Sequence, residues 1–302
     1  MMTLLRIACL CIAAASLPAW SADVTPTIAS HYWSAYPHLR RPFLRSGTAL
    51  AVDQRTRQPL LAKNTDRVVP IASITKLMTA MVVLDAKLPL GHPITITKAD
   101  IDRLKDSHSR LAVGTTLSRG RLLKLALMAS ENRAAAALAR TYPGGKSAFV
   151  TAMNRKAAQL DMKRTHFVDA TGLNPQNVST AHDLVRMVEA ASRYRLIHEA
   201  TTSRSAQVVA GRRHHRRVIA YRNTDPLVHN PHWHIGLSKT GYISEAGRCL
   251  VVQATIGGHK TIIVLLDSWG RLSRVGDANR IRHWLERGRR HGAPPHRYAD
   301  NT

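Results

Sequence analysis

Arg248-Cys-Leu-Val-Val-Gln-Ala-Thr-Ile256 and Thr261-Ile-Ile-Val-Leu-Leu-Asp267, joined by Gly257-Gly-His-Lys260, are the segments that decide the fold. Each is a run of aliphatic and β-branched residues of strand length, and the glycine pair between them suits a tight hairpin turn. Ile235-Gly-Leu-Ser238 just upstream has the same character. Similar runs recur only at the other end of the chain, where Thr48-Ala-Leu-Ala-Val-Asp53 and Gln58-Pro-Leu-Leu-Ala-Lys63 flank the polar stretch Gln54 to Arg57 as a second hairpin. Between these ends the period changes. Leu77, Ala80, Met81 and Leu84 recur at helical spacing behind Pro70, and Arg119 to Ala129, Arg133 to Thr141, Lys146 to Leu160 and Ala181 to Ser192 read as helices joined by polar turns. Ile281 to Arg287 supports a closing helix. Strands at both ends around a helical middle predict an α/β (α+β) fold, with one antiparallel sheet built from distant segments, a helical insertion, and helices covering the sheet.

With 302 residues, 44% of them hydrophobic and 21% charged, the chain has enough apolar side chains for an ordinary core. Lys and Arg number 44 against 19 Asp and Glu, a formal charge of +25, which favours an anionic neighbour such as nucleic acid, an acidic membrane or an anionic polymer. The N-terminus selects among these. Arg6 precedes the uncharged apolar run Ile7 to Ala15, and Ala19-Trp-Ser-Ala22 offers small residues for cleavage, so residues 1–22 read as a secretory signal peptide. A membrane anchor needs about 20 apolar residues, and Pro18 arrives too soon. Export argues against nucleic acid as a partner and leaves no transmembrane anchor in the mature chain. Residues 23–46, with Pro26, Pro37 and Pro42, read as a leader, 47–287 as one folded domain, and 288–302 as a basic, disordered tail. Of the three cysteines, Cys9 and Cys11 leave with the signal, so Cys249 stays unpaired and a disulfide framework is excluded.

Ser73-Ile-Thr-Lys76 puts a hydroxyl and an amine three residues apart at a helix start, on one face and within reach of each other. A serine attacks at neutral pH only when a base takes its proton, and a lysine serves as that base only when its pKa is depressed. The pair is common by chance. Here, however, Ser130-Glu-Asn132 and Ser238-Lys-Thr-Gly241 follow in order, completing the Ser-x-x-Lys, Ser-x-Asn and Lys-Thr-Gly set of serine penicillin-recognising enzymes. The chain resembles the low-molecular-mass penicillin-binding proteins of the D-alanyl-D-alanine carboxypeptidase and endopeptidase family over roughly Gly47 to Arg287. Val69-Pro-Ile-Ala-Ser73, Thr171-Gly-Leu173 and Ser179-Thr-Ala-His-Asp183 support the likeness. Ser130-Glu-Asn-Arg133 and Tyr142-Pro-Gly-Gly145 are most similar to the endopeptidase branch.

The resemblance implies Ser73 as the acylated nucleophile, Lys76 as its base and Ser130 as a proton relay. It implies substrate contacts from Asn132, Lys239, Thr240, Gly241 and Tyr242, with Arg222 of Tyr221-Arg-Asn223 as a secondary carboxylate contact. It also implies a periplasmic enzyme that hydrolyses cross-links between peptidoglycan stem peptides and is inhibited covalently by β-lactams, with no metal and no cofactor. Trimming of pentapeptides by the same residues is the alternative. A β-lactamase of the best-known class carries a Glu followed four residues later by Asn; here Glu189 and Glu199 are followed at that offset by Arg193 and Ser203. A purely binding protein would have no use for all three motifs. Other motifs fail. Gly144-Gly-Lys-Ser147 lacks the first glycine of a phosphate-binding loop, His198-Glu199 lacks its second histidine, and His214-His215 and His232-x-His234 lack further ligands. Arg212-Arg-His-His-Arg-Arg217 reads as a solvated hairpin or loop face.

Overall fold

The structure, a computed structural model, describes residues 40–210 and 217–290. The chain opens with β1 (Ser46–Asp53) and β2 (Pro59–Lys63), a hairpin, then the short β3 (Val69–Pro70) and the buried helix α1 (Lys76–Asp85). Next come the small pair β4 (Pro93–Thr95) and β5 (Thr116–Ser118), and the helices α2 (Arg119–Met128), α3 (Asn132–Arg140) and α4 (Gly145–Gln159). β6 (Val178–Ser179) pairs with β3 and leads into α5 (Ala181–Ala191) and α6 (Arg195–Thr202). The hairpin β7 (Ser205–Ala210) and β8 (Arg217–Arg222) follows, then β9 (His234–Ile243), β10 (Gly247–Ile256), β11 (His259–Ser268) and the closing helix α7 (Ser273–Arg290).

The main sheet has five strands in the order β2-β1-β11-β10-β9, all antiparallel, so the first and last strands pair with each other within it. Ser46 pairs with Ser268 and Asp53 with Thr261. Side chains alternate across a strand, and here both faces are covered. Val251, Ile262, Val264 and Leu266 enter the helical core around α1, while Leu250, Val252, Ile263 and Leu265 meet Ala278, Ile281, Trp284 and Leu285 of α7. Burial on both sides is why these strands read as continuous apolar runs, and each buried aliphatic contributes about 2 kcal/mol.

The strand pattern and the helical middle agree with the reading from sequence, and four differences have physical causes. β9 runs on through Ile243 because pairing with β10 buries its polar Ser238, Lys239 and Thr240. α7 starts at Ser273 and extends past Arg287 to Arg290, so residues 288–290 belong to a helix and not to a disordered tail. Gly288 is buried there and Arg289 donates to the carbonyl of Ile256. The first strand begins one residue earlier than Gly47, and Leu44 before it is buried against the α7 side of the sheet. α6, only eight residues long, and the β7–β8 ladder, a separate two-stranded sheet whose β8 is mostly exposed, were not read from the sequence. The signal peptide, most of the leader, positions 211–216 of the basic segment and residues 291–302 lie outside the described residues. Among the described residues no helix is long and apolar enough to cross a membrane.

Asp277 of α7 fastens the first strand. Fully buried, it accepts from the Arg45 and Ser46 amides at 3.1 and 2.7 Å and from Ser46 Oγ at 2.6 Å, and it pairs with Arg280. Asp277→Ala removes the acceptor of three hydrogen bonds, two of them at buried Ser46, and is expected to lower stability by about 3 kcal/mol, read as a reduced midpoint in urea unfolding.

Candidate active site

Ser73 lies in a single 3-10 turn, Ala72–Thr75, wedged between β3 and α1. The turn is strained, with Ala72 at φ 47°, and Thr75 Oγ1 returns a hydrogen bond to the Ala72 carbonyl at 2.8 Å. Two glycines clamp it. A Cβ at Gly172, itself at φ +79°, would stand 1.9 Å from the Ala72 oxygen, and a Cβ at Gly241 would meet the Ser73 amide nitrogen at 3.0 Å. The Gly172 loop is knotted by Asp169, whose carboxylate accepts from the amides of Thr171, Gly172 and Asn174. Asn177 in turn holds the Asp169 carbonyl and Thr75 Oγ1.

Lys76, one helical turn after Ser73, is fully buried. Its Nζ lies 2.8 Å from Ser73 Oγ, 2.7 Å from Asn132 Oδ1 and 2.6 Å from the Thr171 carbonyl. Two of those neighbours only accept. A neutral amine has two hydrogens for them and a lone pair for the serine hydroxyl. Burial pushes the Lys76 ammonium down to about 7, against the opposing pull of Asp169, Glu131 and Asp102.

The second hydroxyl, Ser130, sits between α2 and α3 in the left-handed region at φ 56° and accepts from Lys239 Nζ at 2.9 Å. Lys239 is also buried, and burial together with Lys76 and Arg274 holds it well below the ordinary lysine range. Glu131 and Arg133 fix this corner. Glu131 accepts from the Arg133 amide and from Ser109 Oγ, and the Arg133 guanidinium reaches the Leu111 carbonyl, so both tie the 105–115 loop to the start of α3.

Ser73, Ser130, Asn132, Thr240, Gly241 and Tyr242 line one cleft of about 570 Å³ between the helical region and β9. Arg222 is not among its lining residues. β8 alternates, and with Tyr221 turned inward and buried, Arg222 is directed outward. A guanidinium that does line the cleft is Arg274, at the start of α7, whose Nε and Nη1 are buried with no hydrogen-bond partner. The Thr224 and Thr240 hydroxyls meet at 2.6 Å, and Ser238 donates to the buried carboxylate of Asp225, so the 223–225 loop steadies β9.

Residues 38–269 match the peptidase S11 family model, D-alanyl-D-alanine carboxypeptidase. The chain is 49% identical over 245 residues to a D-alanyl-D-alanine endopeptidase of Pseudomonas aeruginosa, covering 81% of this chain and 78% of that protein. It is 43% identical over 249 residues to a D-alanyl-D-alanine endopeptidase of Escherichia coli, covering 82% and 80%. This chain belongs to the D-alanyl-D-alanine carboxypeptidase family of serine peptidases. Its fold matches the crystal structure of the Streptomyces K15 DD-transpeptidase, with TM-score 0.76 and 28% identity over 82% of this chain and 98% of that one. A D-alanyl-D-alanine carboxypeptidase of Mycobacterium tuberculosis is similar as well, with TM-score 0.72 and 26% identity over 82% and 93%.

In this family member the motif residues were legible from sequence, whereas Arg274, Thr224, Asp225 and Asp169 were not. Ser273-Arg274 carries no local mark of function, and its guanidinium reaches the cleft only because α7 packs across the sheet. Cys249 is buried and unpaired, its thiol pushed up to about 12 by burial, as befits an inert core thiol. Gly172→Ala forces a Cβ into the Ala72 carbonyl in a left-handed backbone and is expected to cost about 2–4 kcal/mol, measured by urea unfolding. The serine turn should be displaced with it, so the same variant should label with penicillin at least tenfold more slowly.

Proposed function

We propose that the protein is an exported D-alanyl-D-alanine endopeptidase that hydrolyses D-alanyl to meso-diaminopimelate cross-links between peptidoglycan stem peptides through an acyl-enzyme on Ser73. The observation that carries this reading is the cleft in which Lys76 meets Ser73 and Lys239 meets Ser130. The neutral Lys76 amine takes the Ser73 proton as Oγ attacks the D-alanine carbonyl. The backbone N–H groups of Ser73 and Tyr242 stabilise the oxyanion. Ser130 passes a proton to the departing amine, with Lys239 holding its hydroxyl in place. Asn132 holds the amide of the acyl side, and Gly241 lets the substrate lie close along β9. Thr240 and the Arg274 guanidinium, whose Nε and Nη1 have no other partner, receive the carboxylate beside the scissile bond, where the resemblance had offered Arg222 as a secondary contact. Water then hydrolyses the ester and Ser73 recovers its proton.

Endopeptidase is favoured over carboxypeptidase because the relatives at 49% and 43% identity carry the former name and a Streptomyces relative at 32% the latter. A signal peptide on residues 1–22 and the high positive charge fit a periplasmic enzyme held loosely on anionic envelope polymers. The reading is tested by kcat/KM for a purified cross-linked muropeptide dimer against a pentapeptide monomer, a ratio that reports differential transition-state binding. The dimer should be cut faster; a clear preference for the pentapeptide moves the chain to the carboxypeptidase branch.

Benzylpenicillin should add once per chain, on Ser73, as seen by mass spectrometry, and the adduct should vanish in Ser73→Ala. A label on another residue displaces the nucleophile. Because Lys76 serves only when neutral and titrates at about 7, acylation should rise through pH 7 and fall about tenfold per pH unit well below it. Lys76→Arg should be nearly inactive at every pH in this range, since a guanidinium stays protonated.

A further inference from the structure

Beyond Asn132 the cleft continues outward between two walls. Asn132 Nδ2 donates to Ser107 Oγ at 2.8 Å, and Lys105, two residues earlier, lines the same wall. The Asp102 carboxylate shapes this stretch by accepting from the amides of Leu104, Lys105 and Ser107. On the other wall Tyr242, Ile243 and Ser244 line the cleft as β9 ends, and Glu245 follows in the turn to β10. The Lys105 ammonium donates to the Glu245 carboxylate, so one ion pair joins the two walls across the outer end of the cleft. Their side chains are 28% and 40% exposed. Ion pairs this wet contribute little to stability, so a solute bearing both charges can take the place of each partner at small cost.

The proposed reaction gives this place an occupant. With the D-alanine carbonyl at Ser73 and the leaving amine and its carboxylate toward Ser130, Thr240 and Arg274, the acyl half of the substrate leaves in the opposite direction, past Asn132 and along Tyr242 to Ser244. The residue before the scissile D-alanine therefore arrives at Lys105 and Glu245. In a diaminopimelate stem peptide that residue has a side chain ending in an ammonium and a carboxylate on one carbon. We propose that Lys105 and Glu245 form a subsite for this zwitterionic end, Lys105 taking the carboxylate and Glu245 the ammonium as their mutual bridge opens. The inference rests on the DD-peptidase reading above and adds the acyl-side specificity of the same site.

The test uses three soluble stem peptides with the same scissile D-alanyl bond and leaving group, differing only in the preceding residue: diaminopimelate, lysine or alanine. Preferences are taken as ratios of kcat/KM within each protein, so a general loss of rate from a disturbed loop cancels. Diaminopimelate and lysine differ by one carboxylate, and Lys105→Met should shrink the wild-type preference between them by about fivefold. Lysine and alanine differ by the ammonium and the methylenes that carry it, of which only the ammonium faces a charge at Glu245, and Glu245→Gln should shrink that preference by about fivefold. Ratios that stay within twofold of wild type in both variants overturn the subsite and leave the reaction standing. A wild-type protein that cleaves none of the three and takes no penicillin label overturns the DD-peptidase reading, and the subsite with it.

Discussion

The buried amine of Lys76 is the point on which the site depends. Its three partners come from three separate parts of the chain: Ser73 in the turn before α1, Asn132 at the start of α3, and the carbonyl of Thr171 in the Gly172 loop. A charged ammonium without a counter-ion is costly in such a place. The neutral amine is satisfied by two acceptors and one hydroxyl, so the packing that removes water also favours the uncharged lysine. Strain gathers round this group. Ala72 and Ser130 both hold positive φ, and each is fixed by the elements on either side of it.

Around Lys76 the cleft concentrates basic groups. Lys239, held well below the ordinary lysine range, and the Arg274 guanidinium add two further buried basic groups, and Asp225, which accepts from Ser238, is the carboxylate whose charge bears on both. Buried basic groups with the Arg274 guanidinium among them, facing an open cleft, suit a substrate that brings its own carboxylate to the scissile bond. The net charge of +25 is a different matter. Among the described residues most arginines are exposed, where charge bears on solubility and non-specific association and not on the buried groups of the cleft.

The sheet serves this cleft as a frame. β9 carries Lys239, Thr240 and Gly241 along one wall, and its register is set by β10, with Lys239 opposite Val251 and Gly241 opposite Cys249. β10 is held by β11, β11 by β1, and β1 by the Asp277 carboxylate of α7. The helix that fastens the first strand thus also delivers Arg274 from its first turn. Stability of the sheet centre and placement of a cleft cation are two results of one packing event.

The sequence by itself determined the strand-rich ends, the helical middle, and the order of the three motifs, because these are local signals of period and of residue type at fixed spacing. Ser73 and Lys76 were legible as a pair since one helical turn separates them whatever the rest of the chain does. Only the tertiary structure decided which distant groups complete the site. Arg222 stands beside a motif-like Asn223 yet is turned outward by strand alternation, while Arg274, more than thirty residues from the nearest motif, enters the cleft because α7 crosses the sheet. The end of α7 was missed for a similar reason. Its last residues are arginine and glycine, without an apolar period, and their order comes from contacts such as that of Arg289 with Ile256. Contacts between residues far apart in the chain leave no periodic trace, and they settle where each side chain finally points.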